Sequence, residues 1–112
     1  SADALHFGAF QGTRLTGVVS IYPRMFPDRP EVKGTWQLRG MAVVPEVQRS
    51  GVGALLLQAV EEGIRNGRGA VLWCNARAPA AGFYEKHGWK VIGEEFEIPT
   101  AGPHVRMWKA VG

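Results

Sequence analysis

Cysteine is nearly absent: Cys74 alone occurs in 112 residues, so no intramolecular disulfide forms and a zinc cluster built on cysteines is excluded. Long apolar runs are missing too, since Gly53 to Leu57 and Ala70 to Cys74 fall far short of the roughly 20 residues that a membrane-spanning helix needs. Ser1 to Phe10 lacks a basic start followed by an apolar stretch, so no secretory signal is read, the cytoplasm is the expected compartment and no membrane partner is expected. Charge of one sign is also scarce. Thirteen Lys and Arg against ten Asp and Glu give +3, and the basic residues never cluster into a run, which speaks against a nucleic-acid tail. What is plentiful is backbone punctuation, with 15 Gly and 7 Pro, in a chain whose 46% hydrophobic and 21% charged residues suit one folded domain over residues 1–112.

Residues 4–10 and 14–22 are β-rich runs separated by a short Gly-containing connection, which predicts a hairpin. Pro23, Pro27 and Pro30 make the following stretch to Lys33 an exposed loop. Residues 35–44 read as a strand with a bulge at Gly40, ended by Pro45. Val52, Leu55, Leu56, Ala59, Val60 and Ile64 then recur with the period of one helix face, with Ser50 as cap and Gly67 as the left-handed stop. Residues 69–75 are apolar almost throughout, the pattern of a strand covered on both faces and paired in parallel. A short helix over 79–87 and strands over 89–98 and 105–111 complete the order β-β-β-α-β-α-β-β.

Chemistry concentrates between the third strand and the long helix. Gln48-Arg49-Ser50-Gly51-Val52-Gly53 covers the helix N-terminus, where backbone N–H groups lack intrahelical partners and the dipole is positive. Gly51 and Gly53 let an anion approach the main chain, and Arg49 adds a full charge. A tight turn with no ligand uses two glycines in the same way. No Gly-Lys-Ser/Thr follows, so this is not a Walker P-loop, and the glycine spacing is not that of a Rossmann fingerprint.

Gln48-Arg49-x-Gly51-x-Gly53, preceded by Met41-Ala42-Val43-x-Pro45 and followed by Phe83-Tyr84-Glu85-Lys86-x-Gly88-Trp89, resembles the GNAT superfamily of N-acetyltransferases over residues 14–109. The resemblance implies a mixed α/β sheet, acetyl-CoA as cosubstrate and no metal. It implies that pantetheine pairs with the backbone of Met41, Ala42 and Val43, that Gln48 to Gly53 wrap the pyrophosphate, and that an N–H near Val43 polarises the thioester carbonyl. Asn75 and Arg77, where the neighbouring strand ends, fall beside the same cofactor. Tyr84 matches the tyrosine that protonates the departing thiolate. A phenol with an ordinary pKa near 10 suits that task toward a thiol of about 8.5. The implied reaction is direct acetyl transfer to a primary amine in a ternary complex.

The chain departs from the family pattern in places. Arg77 stands where many relatives carry Asn, and no carboxylate occurs in the 69–75 strand to act as base, although an alkyl ammonium resists deprotonation by about 4 kcal/mol at neutral pH. The Gly102-Pro103-His104 segment ending at Met107 is similar to that of the ElaA-like branch, with Glu95 and Glu97 on the strand expected to pair with His104. The usual first strand and two helices have no counterpart, so a homodimer pairing through the Val105 to Trp108 edge is expected to cover the exposed surface. A non-catalytic acyl-CoA-binding module remains the alternative to an enzyme. Trp36, Trp73, Trp89 and Trp108 read as core or sheet-face residues, and Cys74 as a buried small hydrophobe.

Overall fold

Alternating strands must bury one face and an amphipathic helix one stripe; the computed structural model, which describes residues 3–65 and 69–111, meets both demands with one six-stranded sheet. β1 (Leu5–Gln11) and β2 (Arg14–Pro23) form the antiparallel hairpin, and β3 (Thr35–Val43) continues it on the other side of β2. Helix α1 (Val52–Arg65) then crosses to β4 (Val71–Arg77), which runs parallel to β3. The short helix α2 (Ala81–Lys86) leads to β5 (Lys90–Ile98), and β6 (Gly102–Ala110) inserts between β4 and β5, giving the order β1-β2-β3-β4-β6-β5.

Two layers of apolar side chains hold this sheet. Under α1 and α2 lie Val19, Ile21, Leu38, Leu72 and Met107 with Trp36 and Trp89, while Leu56, Leu57, Val60 and Ile64 of α1 contribute about 1.5–3 kcal/mol each by burial. On the opposite face Phe26 drops from the proline-rich loop onto Trp73, with ring centroids 6.0 Å apart, and Val71, Val32, Ile92 and Trp108 pack around them. The loop is therefore exposed along most of its length but anchored by one aromatic residue, which its prolines and charges did not announce.

The buried stripe of α1 is turned from the one expected. Leu57 is buried whereas Leu55 is 60% exposed, because the 52/56/60/64 ladder is flanked on its Leu57 side by the sheet. Ser50 does not cap the helix. Its hydroxyl donates back to the Val47 carbonyl, and Gly51 takes the boundary position, its carbonyl accepting from the Leu55 N–H at 3.1 Å. Gly67 lies outside the described residues. β6 is three residues longer at its start than expected, so His104 is part of the strand, and because β6 is interior the expected dimer edge does not exist; the outer strands are β1 and β5. Among the described residues no helix is long and apolar enough to cross a membrane.

The close seating of α1 on β2 depends on Gly17, where an added Cβ would stand 2.9 Å from Val52 Cγ1 and 3.0 Å from Leu56 Cδ1. Gly17→Val is expected to lower stability by about 1–3 kcal/mol, the range for overpacking a core. A urea titration should show a lower midpoint with an unchanged slope.

The short contact between β3 and β4 splits the sheet. The parallel pairing of β3 and β4 covers only Thr35, Trp36 and Gln37 against Val71, Leu72 and Trp73, after which the strands diverge. β3 stays with β2, absorbing an extra residue at left-handed Gly40 (φ +66°) between the Ser20–Arg39 and Val18–Ala42 pairs. β4 stays with β6 as far as the Arg77–His104 pair. A wedge opens between Leu38–Val43 and Cys74–Arg77.

Candidate functional site

Past the wedge the chain leaves β3 through a 3-10 turn (Pro45–Val47) into the segment that starts α1. Gln48 braces this exit, its side-chain amide donating to the Val43 carbonyl at 3.0 Å. Arg49 (φ 70°) and Gly51 (φ 92°) are both left-handed, a conformation natural for glycine and costly for arginine. The turn opens on a cavity of about 850 Å³ walled by Met41, Ala42, Val43, Gln48, Arg49, Gly51 and Gly53 on one side and by Pro79, Ala80, Phe83 and Tyr84 on the other. No heavy atom lies within 4 Å of the position a Gly51 Cβ would take, so the turn is an open cradle backed by the first N–H groups of α1. Lys86 and His87 also line it, and the Lys86 and Arg49 charges make it electropositive.

Tyr84 joins this cavity to the wedge. It also lines a second cavity, of about 380 Å³, with Met41, Cys74, Asn75, Arg77 and His104. Its ring packs edge-on against Phe83 (5.3 Å) and Trp89 (5.2 Å), while its hydroxyl has no hydrogen-bond partner among the described residues. Burial pushes its phenol well above the ordinary tyrosine range, and neighbouring Cys74 adds to the shift. Cys74 is itself pushed up to about 12 by burial, against a weaker pull from the Arg106 charge, so its thiol stays protonated and un-nucleophilic at neutral pH.

On the other side of the sheet the wedge opens into a cavity of about 410 Å³ lined by Arg24, Gln37, Arg39, Asn75 and Ile98. Gln37 is 7% exposed and its Oε1 has no partner among the described residues. Asn75 accepts from Arg106 Nε at 2.6 Å; that guanidinium also meets Asp28 at 3.3 Å and lies over the Trp73 and Phe96 rings at 5.3 and 5.6 Å. The three cavities share lining residues, Met41, Ala80 and Tyr84 between the first two and Arg39, Gly40 and Asn75 between the last two, so they lie in a row from the α1 turn, past Tyr84, to the Arg24–Arg39 wall.

Most expected site residues line these cavities. Met41, Ala42, Val43, Gln48, Arg49, Gly51 and Gly53 line the large cavity with Tyr84, whereas Asn75 and Arg77 line the wedge and stand apart from the turn. Arg77 is thus not beside the open turn at Gly51, because β4 carries it toward His104. The Ser50 and Val52 side chains contribute nothing to the cavity: the first is bonded to Val47 and the second is buried in the core. Glu95 and Glu97 do not face His104 either. β5 holds two more residues than β6 between the Ile92–Arg106 and Phe96–His104 pairs, a bulge at left-handed Gly93, and this places Phe96 opposite the histidine. Gln37 and Arg106 were not anticipated; a polar residue inside an apolar strand was the available signal for Gln37. Among the described residues no cluster of three or more His, Cys, Asp or Glu is arranged to hold a metal.

A family model described as an acetyltransferase (GNAT) domain matches residues 1–109. The chain is 33% identical to an uncharacterized N-acetyltransferase of Bacillus subtilis (strain 168), YitI, over 108 residues, covering 96% of this chain and 72% of that protein. A second uncharacterized N-acetyltransferase of that strain, YjcF, is 27% identical over 89 residues, 73% of this chain and 64% of that one. Among solved structures, an aminoglycoside 6'-N-acetyltransferase complexed with coenzyme A superimposes with a TM-score of 0.78 at 17% identity, covering 96% of this chain and 73% of that one. Escherichia coli ElaA superimposes with a TM-score of 0.77, also at 17% identity, over 97% of this chain and 70% of its own. At these identities the structural likeness is one of fold.

Proposed function

Since the chain belongs to the GNAT family of acetyltransferases, which draw their acetyl group from acetyl-CoA, we propose that it transfers that group directly to a primary amine across the split between β3 and β4. Membership makes it an enzyme rather than a silent binding module. The observation that carries the reading is the row of cavities along the split, with the open cradle over Gly51 at one end, Tyr84 in the middle and a polar wall at the other.

The turn fits coenzyme A on its own chemistry. The open space over Gly51, the N–H groups of the first turn of α1 and the Arg49 charge suit a pyrophosphate, and the Met41 to Val43 main chain, which has no neighbouring strand on its wedge side, suits a pantetheine amide. When bound, acetyl-CoA supplies an activated thioester. A main-chain N–H near Val43 polarises its carbonyl, and Tyr84, kept protonated by burial, gives a proton to the leaving sulfur. Asn75 holds Arg106 in place beside the acceptor's entrance. With Arg24 and Arg39 on that wall and no acidic side chain among its described lining, the acceptor it fits is an amine that also carries a negative group. The Gly102-Pro103-His104 segment supports a place beside the ElaA-like branch, and the lone buried Cys74 accords with a reducing compartment, the cytoplasm.

A thiol-release assay over a panel of amines tests the reading. Free coenzyme A should appear only when acetyl-CoA and an amine are both present, faster with amino acids or peptide N-termini bearing carboxylates than with polyamines. Mass spectrometry should find no acetyl group on Cys74. An acetyl-Cys74 adduct would contradict direct transfer, and silence across the whole panel would reject the function.

A further inference from the structure

We propose that His104 is the base that accepts a proton from the attacking amine, an inference that rests on reading the split as the transfer site. An ammonium that becomes an amide gives up two protons. One balances the proton that Tyr84 delivers to sulfur, and the other needs a carrier. Among the described residues no Asp or Glu lines any of the three cavities, and Cys74 is held protonated.

His104 lies inside the wedge, 5% exposed, on the stretch of β6 that faces Arg77 in register. Its Nδ1 stands 2.8 Å from the Gly102 carbonyl oxygen, an atom that can only accept. In the neutral ring the hydrogen therefore sits on Nδ1 and the free lone pair on Nε2, which has no partner among the described residues. Fixing one nitrogen in this way orients the ring and sets which atom takes the proton. The groups around it are Tyr84 from α2, Cys74 and Arg77 from β4, Arg39 from β3, Phe96 from β5 at 6.1 Å between ring centroids, and Arg106 two residues along β6. Exposed Glu97 of β5 is paired in register with Pro103 rather than with the histidine. His87, the other histidine near these cavities, lines the large cavity and lies against Phe83, away from the wedge.

The ammonium loses a proton to Nε2, its nitrogen pair forms the C–N bond, and the C–S bond breaks with its electron pair leaving on sulfur. Tyr84 protonates the sulfur and regains a proton from the nitrogen that has become an amide. Nε2 releases its proton to solvent.

His104→Asn keeps an amide N–H for the Gly102 carbonyl and removes the base. With an alkyl amine at pH 7, kcat/KM should fall about 10²–10⁴-fold, the range for losing a general base. That deficit should shrink about tenfold per pH unit as the amine, of pKa near 10.4, sheds its proton unaided. With an aryl amine, already unprotonated at neutral pH, the loss should stay within about threefold, and coenzyme A affinity by calorimetry within about twofold. An equal loss with both amines at every pH, or no loss with the alkyl amine, overturns the proposal while the transferase reading stands; a wild-type chain that acetylates no amine overturns both. If the variant fails to fold, His104→Gln read with the same two amines decides: a loss confined to the alkyl amine supports the role of His104, and an equal loss with both, or none, would overturn it.

Discussion

Tyr84→Phe is expected to lower kcat about 10²–10⁴-fold while leaving the KM for acetyl-CoA within about threefold, the signature of a group used in the transition state and not in binding. The substitution isolates the hydroxyl. Phe keeps the ring that packs against Phe83 and Trp89, and the hydroxyl it removes bonds to no described residue, so the thermal midpoint should stay where it is or rise. The pH dependence adds an independent check. Because burial raises the phenol's pKa, the wild-type rate should show no loss from tyrosine ionisation anywhere in the neutral or mildly alkaline range. The same sign governs stability: a folded-state pKa above the unfolded one gives a contribution fully present below the unfolded value, near 10 for tyrosine, and lost as the pH climbs beyond it. The wild-type chain should therefore lose more stability than Tyr84→Phe on going above about pH 10. A kcat within threefold of wild type would remove Tyr84 from the chemistry.

Gly51→Leu should weaken coenzyme A binding about tenfold to a hundredfold. Two effects combine at this position. A left-handed φ of 92° strains any L-residue, typically by about 1–3 kcal/mol, so the turn shifts or stores that cost. Open space over the glycine means that the leucyl side chain would stand in the cradle itself. Gly51→Ala separates the two, since it carries the strain with little of the bulk; calorimetry should rank wild type above Ala and Ala above Leu. Equal affinities for all three would place the pyrophosphate elsewhere.

The strand and helix order was readable because each element carries its own local signal: β-rich runs around a Gly-containing connection in β1 and β2, an apolar helix face that includes 52/56/60/64 in α1, and the nearly continuous apolar run of β4, whose buried faces sit under α1 and under Phe26. Gly40 was legible as a bulge since a glycine within a strand has few other uses. What escaped depends on backbone geometry that residue types do not state. Ser50 looks like a helix cap, yet the 3-10 turn before it offers the Val47 carbonyl to its hydroxyl. The pairing of His104 with Phe96 follows from a bulge at Gly93, and a two-residue offset in one strand cannot be read from either strand alone. Interior β6 looked like an edge because it closes the chain, whereas the hairpin connection returns it between β5 and β4. Gln37 resembled any polar residue in a strand until its position at the apex of the wedge gave it a cavity to face.

That three-residue contact between β3 and β4 also makes the molecule two leaves joined at a spine. β1, β2 and β3 form one leaf and β4, β6 and β5 the other, and beyond Gln37 and Trp73 no ladder ties them. A continuous sheet spreads load through its hydrogen bonds from edge to edge; here the opening angle is set instead by what bears on the leaves from outside. α1 presses on β1, β2 and β3, and α2 on β5 and β6, with Phe83 of α2 lying where a side chain on Gly53 of α1 would be. The gap between the two helices therefore works like the hand of a clamp, and its grip is the contact of Phe83 with Gly53, two residues that also wall the large cavity.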